Sequence, residues 1–223
     1  LIYKKANLFQ YEKIERNNDN YENKVNKIQT YENKLGYAKA QINNMFIVSQ
    51  TEDSLILIDQ HAAHERIVLE NLKKNYKKRK ILKQVLLLPE IVNIDEGKLL
   101  LLKNKKAISE LGFDFDDYGE NSIIVREIPA ILGKINIDSL FQDLKEQINV
   151  LGEINPEDSG IERILSSIAC HNSVRAGKKL SIEEMNSILR LMEKTPNSSQ
   201  CNHGRPTFVE LRLKDVEALF GRT

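Results

Sequence analysis

The sequence predicts an α/β fold of the α+β kind, arranged as two lobes in which one lobe is inserted into the other. Three observations lead there. Short runs rich in β-branched residues (MFIVSQ, LILID, QVLLLPEIV, SIIVREI, TFVELRL) alternate with stretches whose apolar residues recur at helical spacing. The order is a strand pair, a helix, a compact mixed block and then two helices, and the turn-rich NPEDSG at 155–160 closes that block. A chain of 223 residues with 41% hydrophobic residues is long enough to bury a real core in either lobe.

Taken in order, residues 1–35 are rich in Asn, Lys, Glu and Tyr, repeat YENK and show no period, which reads as a disordered linker. The chain starts at Leu1 rather than at a methionine, so it reads as a piece of a longer protein. AQINNMFIVSQ, a polar TEDS and LILID predict two strands of a β-hairpin ending at Asp59. AAHERIVLENLKKNYKK predicts a helix of about four turns, and QVLLLPEIV at 84–92 a strand. A helix over 96–111, strands at FDF and SIIVREI and a helix over 139–151 complete the inserted block. Helices at 161–176 and 182–194, a loop at NSSQCNHGRP, the strand TFVELRL and a short terminal helix follow. The predicted organisation is therefore a linker at 1–35, a dimerisation and metal-site lobe from 36–80 and 159–223, and a regulatory lobe at 81–158.

A formal net charge of +1 excludes a strong global field toward nucleic acid or an acidic membrane, so any DNA contact must be local or assisted. Two cysteines without a signal-like start argue against a disulfide scaffold, and no apolar run is long enough to span a bilayer. The expectation is a cytoplasmic protein with reduced thiols.

All four histidines and both cysteines fall in three short segments, DQHAAHERIVLE (59–70), ACHNSVRAG (169–177) and CNHGRPT (201–207). His61 and Glu65, four apart, lie on one face of a helix with Cβ atoms about 6 Å apart, a spacing that can pinch a metal ion. Asp59 at the strand end can point into the same space, Cys201 and His203 flank one residue of a loop, and Cys170 adds a thiolate. Nitrogen and sulfur ligands favour zinc, while carboxylates leave room for manganese or magnesium. The plainer reading makes Asp59 a helix cap, His64 and Glu65 solvated, and the cysteines small core residues. It explains each residue singly, but not why each cysteine has a histidine within two positions.

Asp59-Gln60-His61-Ala62, with Glu65 and Glu70 at the following spacings, resembles the DQHA-x2-E-x4-E signature of the MutL family of mismatch-repair proteins. ACHNSVRAG resembles that family's Ala-Cys-Arg segment with His171 in place of arginine, and CNHGRPT its Cys-Pro-His-Gly-Arg-Pro segment with Asn202 in place of proline. The resemblance implies a metal-dependent endonuclease that nicks duplex DNA, with Asp59, His61 and Glu65 catalytic and with Asp59, His61, Glu65, Cys170, Cys201 and His203 as metal ligands. Arg205 would face a DNA phosphate or, equally, form a salt bridge that fixes its loop. A bound divalent ion would polarise a phosphodiester oxygen and lower the pKa of water for in-line attack. Glu70, five residues beyond Glu65, points to another helix face and is assigned structural support. The resemblance also implies an ATPase region ahead of this chain and the mismatch-recognition protein MutS as a partner of the full-length protein.

Gln84, Leu86 and Pro89 fit the pattern Q-x-L-x-x-P, similar to the peptide by which bacterial proteins bind the replication sliding clamp. A buried strand ending at a proline fits the same residues. A clamp already threaded on DNA would supply the local concentration that a nearly neutral nuclease lacks. Apolar residues in excess of what one sheet face needs predict a homodimer. The competing function is a non-catalytic dimerisation and partner-binding module stabilised by a structural zinc.

Overall fold

The computed structural model describes residues 33–94, 96–152, 154, 159–171 and 178–222. The linker expected at 1–35 falls almost wholly outside the described residues, as does most of the NPEDSG turn. Asn33 onward forms one compact unit.

The first sheet has the order β1 (Tyr37–Ile42), β2 (Phe46–Gln50), β3 (Ser54–Asp59), β7 (Phe208–Arg212), all neighbours antiparallel. The sequence led us to expect two strands here, and there are three. Asn43 and Asn44 adopt φ of 50° and 53°, the left-handed pair that a two-residue hairpin turn needs and that asparagine tolerates, so AQINNMFIVSQ folds back on itself. Gly36 starts the sheet at φ +63°, where an added Cβ would stand 2.1 Å from the Gln50 carbonyl oxygen. The second sheet has the order β4 (Lys83–Asn93), β6 (Ser122–Pro129), β5 (Asp114–Tyr118).

Helix α1 (Gln60–Lys77) leaves β3 directly and ties the two halves of the core together. Its Ala63 and Ile67 pack with Ile47, Ile56, Ile58 and with Met185, Leu189 and Met192 of α6 (Ile182–Lys194). Its Val68, Leu69 and Leu72 join a second cluster with the second sheet, α4 (Ile137–Leu151) and α5 (Ser159–His171). Helix α1 thus feeds both buried clusters, and α5 lies in the second. Phe141 meets Phe113 and Phe115 edge-on at 5.6 and 5.4 Å between centroids, each ring stabilising this core by roughly 1.5–3 kcal/mol through burial.

The single helix expected over 96–111 is two, α2 (Lys98–Lys103) and α3 (Lys105–Glu110). Buried Asn104 breaks it: its amide donates to the Leu100 and Gly152 carbonyls and its Oδ1 accepts from the Ile154 N–H. Helix α6 opens on a capping box between Ser181 and Glu184, and α7 (Leu213–Leu219) is the last helix among the described residues. No helix among the described residues is long and apolar enough to cross a membrane.

Candidate metal centre

Asp59 ends β3 and caps α1, its Oδ1 accepting the N–H groups of His61 and Ala62 at 3.0 Å each. One turn on, His61 Nε2 lies 3.2 Å from Glu65 Oε1. Glu65 is only 6% exposed, which is unusual for a carboxylate. The Cys170 thiol near the end of α5 faces it: burial pushes that thiol up to about 11, followed by the Glu65 charge, a hydrogen bond with Glu65 and the nearby Cys201, while a hydrogen bond from Asn202 opposes the rise. Asn202 Nδ2 stands 3.9 Å from Cys170 Sγ.

Cys201 is buried, and its Sγ accepts the N–H groups of His203 and Arg205 at 3.3 Å each. His61, Glu65, Cys170 and Cys201 thus gather at one place from α1, α5 and the loop before β7. His203 and Arg205 are exposed, and neither side chain has a hydrogen-bond or ion-pair partner among the described residues. No group of three or more His, Cys, Asp and Glu converges tightly enough to hold a metal ion among the described residues.

The donor set nonetheless suits a cation. A buried carboxylate, two thiols and an imidazole are donor types that hold a cation, and burial, followed by the Glu65 charge, raises the Cys170 thiol. Buried His61 Nδ1 and Asn202 Oδ1 have no protein partner among the described residues.

Two positioning devices were not anticipated from the sequence. Arg66 is the first: Nε donates to the Gln200 carbonyl and Nη2 to the Cys201 carbonyl, both at 2.7 Å, while Nη1 donates to Glu70 at 3.0 Å. Glu70 therefore orients the arginine that pins the Cys201 loop to α1. The second is Gln60, 2% exposed, which with Gln41 grips the Lys178 carbonyl, Gln41 also accepting the Leu180 N–H. Both residues lie inside the motif, but each also reaches a backbone carbonyl more than 100 residues distant along the chain.

His64 is buried, and its Nδ1 has no partner among the described residues. Burial, then the charges of His61 and Lys178, lower its pKa to about 4, so it is neutral at physiological pH. His171 lies against Asp143 of α4, Nε2 to Oδ2 at 2.6 Å, so the residue standing where an arginine was expected is bound to the second cluster's surface.

Gln84, Val85, Leu87, Leu88 and Pro89 are exposed on edge strand β4, and Leu86 is half-buried. The ladder with β6 runs Gln84 to Ile128 and Val85 to Glu127, then resumes at Glu90 and Val125, so Leu86, Leu87, Leu88 and Pro89 stand opposite Arg126 alone. The buried-strand reading of this run does not hold for its leucines at 87 and 88.

A family profile described as the MutL C terminal dimerisation domain matches residues 39–180. DNA mismatch repair protein MutL of Rickettsia bellii is 51% identical over 191 residues, 85% of this chain and 31% of that protein. The protein of that name from Rickettsia canadensis is 50% identical over the same shares, and that of Bradyrhizobium sp. 49% identical over 84% of the chain and 31% of its own length. The chain thus spans about a third of the length of these relatives.

Proposed function

The chain belongs to the MutL family, as its C-terminal region, and on that premise we propose that it is a metal-dependent endonuclease domain that nicks duplex DNA in mismatch repair. The observation that carries the reading is the buried Glu65 carboxylate set against His61 and Cys170, with Cys201 near Cys170. Glu65, His61, Cys170 and Cys201 would hold zinc, manganese or magnesium, with Asp59 and His203 completing the set. Such an ion supplies Lewis acidity toward a phosphodiester oxygen and an acidified water. The chain's own part is to exclude water around Glu65, to hold the Cys201 loop through Arg66, and to present exposed Arg205 to a phosphate.

A homodimer fits the outer face of the first sheet, where Ile42, Met45, Phe46, Val209 and Leu211 are 38–52% exposed. The bulged, exposed Gln84–Pro89 run suits docking into an apolar pocket of the sliding clamp, since unpaired leucines held outward are available to a partner. MutS would be met through the full-length protein.

The competing reading, a dimerisation module with a structural zinc, draws on Asp59, whose Oδ1 is engaged in capping, and on the lack of a tight three-ligand group among the described residues. Nicking of supercoiled plasmid by the purified chain with manganese, magnesium or zinc, with and without clamp, separates the two. Relaxed circles that appear only with metal support the endonuclease. Zinc bound at stoichiometric level without nicking under any of these conditions supports the module.

A further inference from the structure

Seven of the chain's 33 basic residues lie between Lys73 and Lys83, and no acidic residue stands between Glu70 and Glu90, in a chain whose net charge is +1. Charge this concentrated produces a local field that the whole molecule lacks. We propose that this basic run, at the C-terminal end of α1 and in the turn beyond it, is a contact surface for the phosphate backbone of duplex DNA. The inference rests on the endonuclease reading and names where that site's substrate is held.

The acidic groups packed nearby engage only the two ends of the run. Lys73 pairs with Glu70 and with Glu162 of α5, and Lys83 pairs with Glu127 of β6. Glu110 lies near Tyr76. Lys74, Lys77, Lys78, Arg79 and Lys80 make no ion pair among the described residues, and all five are exposed. The helix dipole accounts for Lys74 and Lys77 in the last turn, where cations are favoured. It does not account for Lys78, Arg79 and Lys80, which lie past the last helical residue. Arg79 moreover occupies the left-handed region at φ 50°, closing the helix with its N–H on the Tyr76 carbonyl, a position that glycine usually fills without strain.

The patch is placed for the substrate of the α1 site. Arg66, Glu70, Lys73 and Lys77 recur at i, i+4, i+7 and i+11 and so form one stripe along the helix. Arg66 fastens the loop that carries Cys201, His203 and Arg205 to the near end of that stripe, and the free lysines stand at its far end. Glu65 and Lys77 are twelve residues apart, about 18 Å along the axis, which is about half of the ~34 Å turn of duplex DNA. A phosphate at the Cys201 loop and another at Lys77 to Lys80 can therefore belong to one duplex.

The test is anisotropy of a fluorescein-labelled duplex oligonucleotide titrated with the full chain in EDTA, so that binding is read without any cleavage. The variant is Lys77→Gln/Lys78→Gln/Lys80→Gln. The control, Lys34→Gln/Lys39→Gln/Lys194→Gln, removes the same charge from other exposed positions. Each lost phosphate contact lowers the slope of log affinity against log salt by about 0.9, so the patch variant should lose up to ~2.7 from that slope. Between about 50 and 200 mM salt the parent should then lose roughly 40-fold more affinity than the variant does. An unchanged slope in the patch variant, or an equal fall in the control, overturns the proposal. A patch-dependent slope in a protein that never nicks plasmid leaves the DNA surface standing and removes the endonuclease reading alone.

Discussion

DQHAAHERIVLE and QVLLLP break the usual burial rule in opposite directions. In the first, polar side chains are inside: Gln60 is 2% exposed, His64 and Glu65 6% each. In the second, apolar side chains are outside: Val85 is 70% exposed, Leu88 80% and Leu87 84%. Exposed lysines and buried leucines need no explanation, whereas these two inversions do. Of the inward polar groups, the Glu65 carboxylate beside His61 and Cys170 is suited, on the proposed function, to a small charged ligand. Leucines held outward on a bulged edge strand are suited to a macromolecule that brings its own pocket. On the proposed function, metal site and clamp-docking surface differ in the sign of the departure.

The largest expected effect is at the inward inversion. Glu65→Lys should abolish metal-dependent plasmid nicking, because an ammonium would sit where the cation is expected. Asp59→Asn keeps a good helix cap, so circular dichroism should be unchanged while nicking falls at least about tenfold. Parent-level nicking by Asp59→Asn would reduce Asp59 to a cap.

At the outward inversion, Gln84→Ala should weaken clamp binding about tenfold or more in calorimetry without changing thermal stability, since the side chain is exposed. Leu86→Ala should lower clamp binding as well, but also cost about 1–2 kcal/mol in denaturant unfolding, because this leucine packs partly against the second cluster. Equal destabilisation by both changes would erase the contrast between the two segments.

Arg66→Lys sharpens the inward side. It retains the charge and loses the fork that grips two carbonyls, so zinc affinity measured by chelator competition should drop on the order of tenfold. Unaltered affinity would mean that the loop holds its place without the arginine.

The smallest effect concerns His64. Its folded pKa of about 4 lies below the ordinary 6.5, so the stability that follows from keeping it neutral is present above pH 6.5 and is lost as pH falls toward 4. In chelator, the parent should lose on the order of 2–3 kcal/mol across that window relative to His64→Gln in denaturant titrations. Parallel pH profiles for the two proteins would count against a buried, neutral His64.

Much of this architecture was legible in the sequence. The helix expected at 182–194 runs from Ile182 to Lys194, and its Ser181–Glu184 capping box is a purely local signal. Two errors were of different kinds. The missed Asn43–Asn44 turn was local and could have been read from the tolerance of asparagine for positive φ. The break at Asn104 was not, because Asn104 leaves its helix to satisfy the Gly152 carbonyl and the Ile154 N–H some fifty residues away.

The sequence by itself determined the mixed α and β composition, most of the elements and the three segments that hold every histidine and cysteine, because periodicity and capping report contacts within four residues along the chain. Tertiary structure alone decided that Glu65 is buried beside Cys170, that Arg66 reaches the Cys201 carbonyl across 135 positions, that His171 turns to Asp143, and that the leucines of β4 face outward. Burial and hydrogen-bond partnership depend on what packs from afar, and no local pattern carries that information.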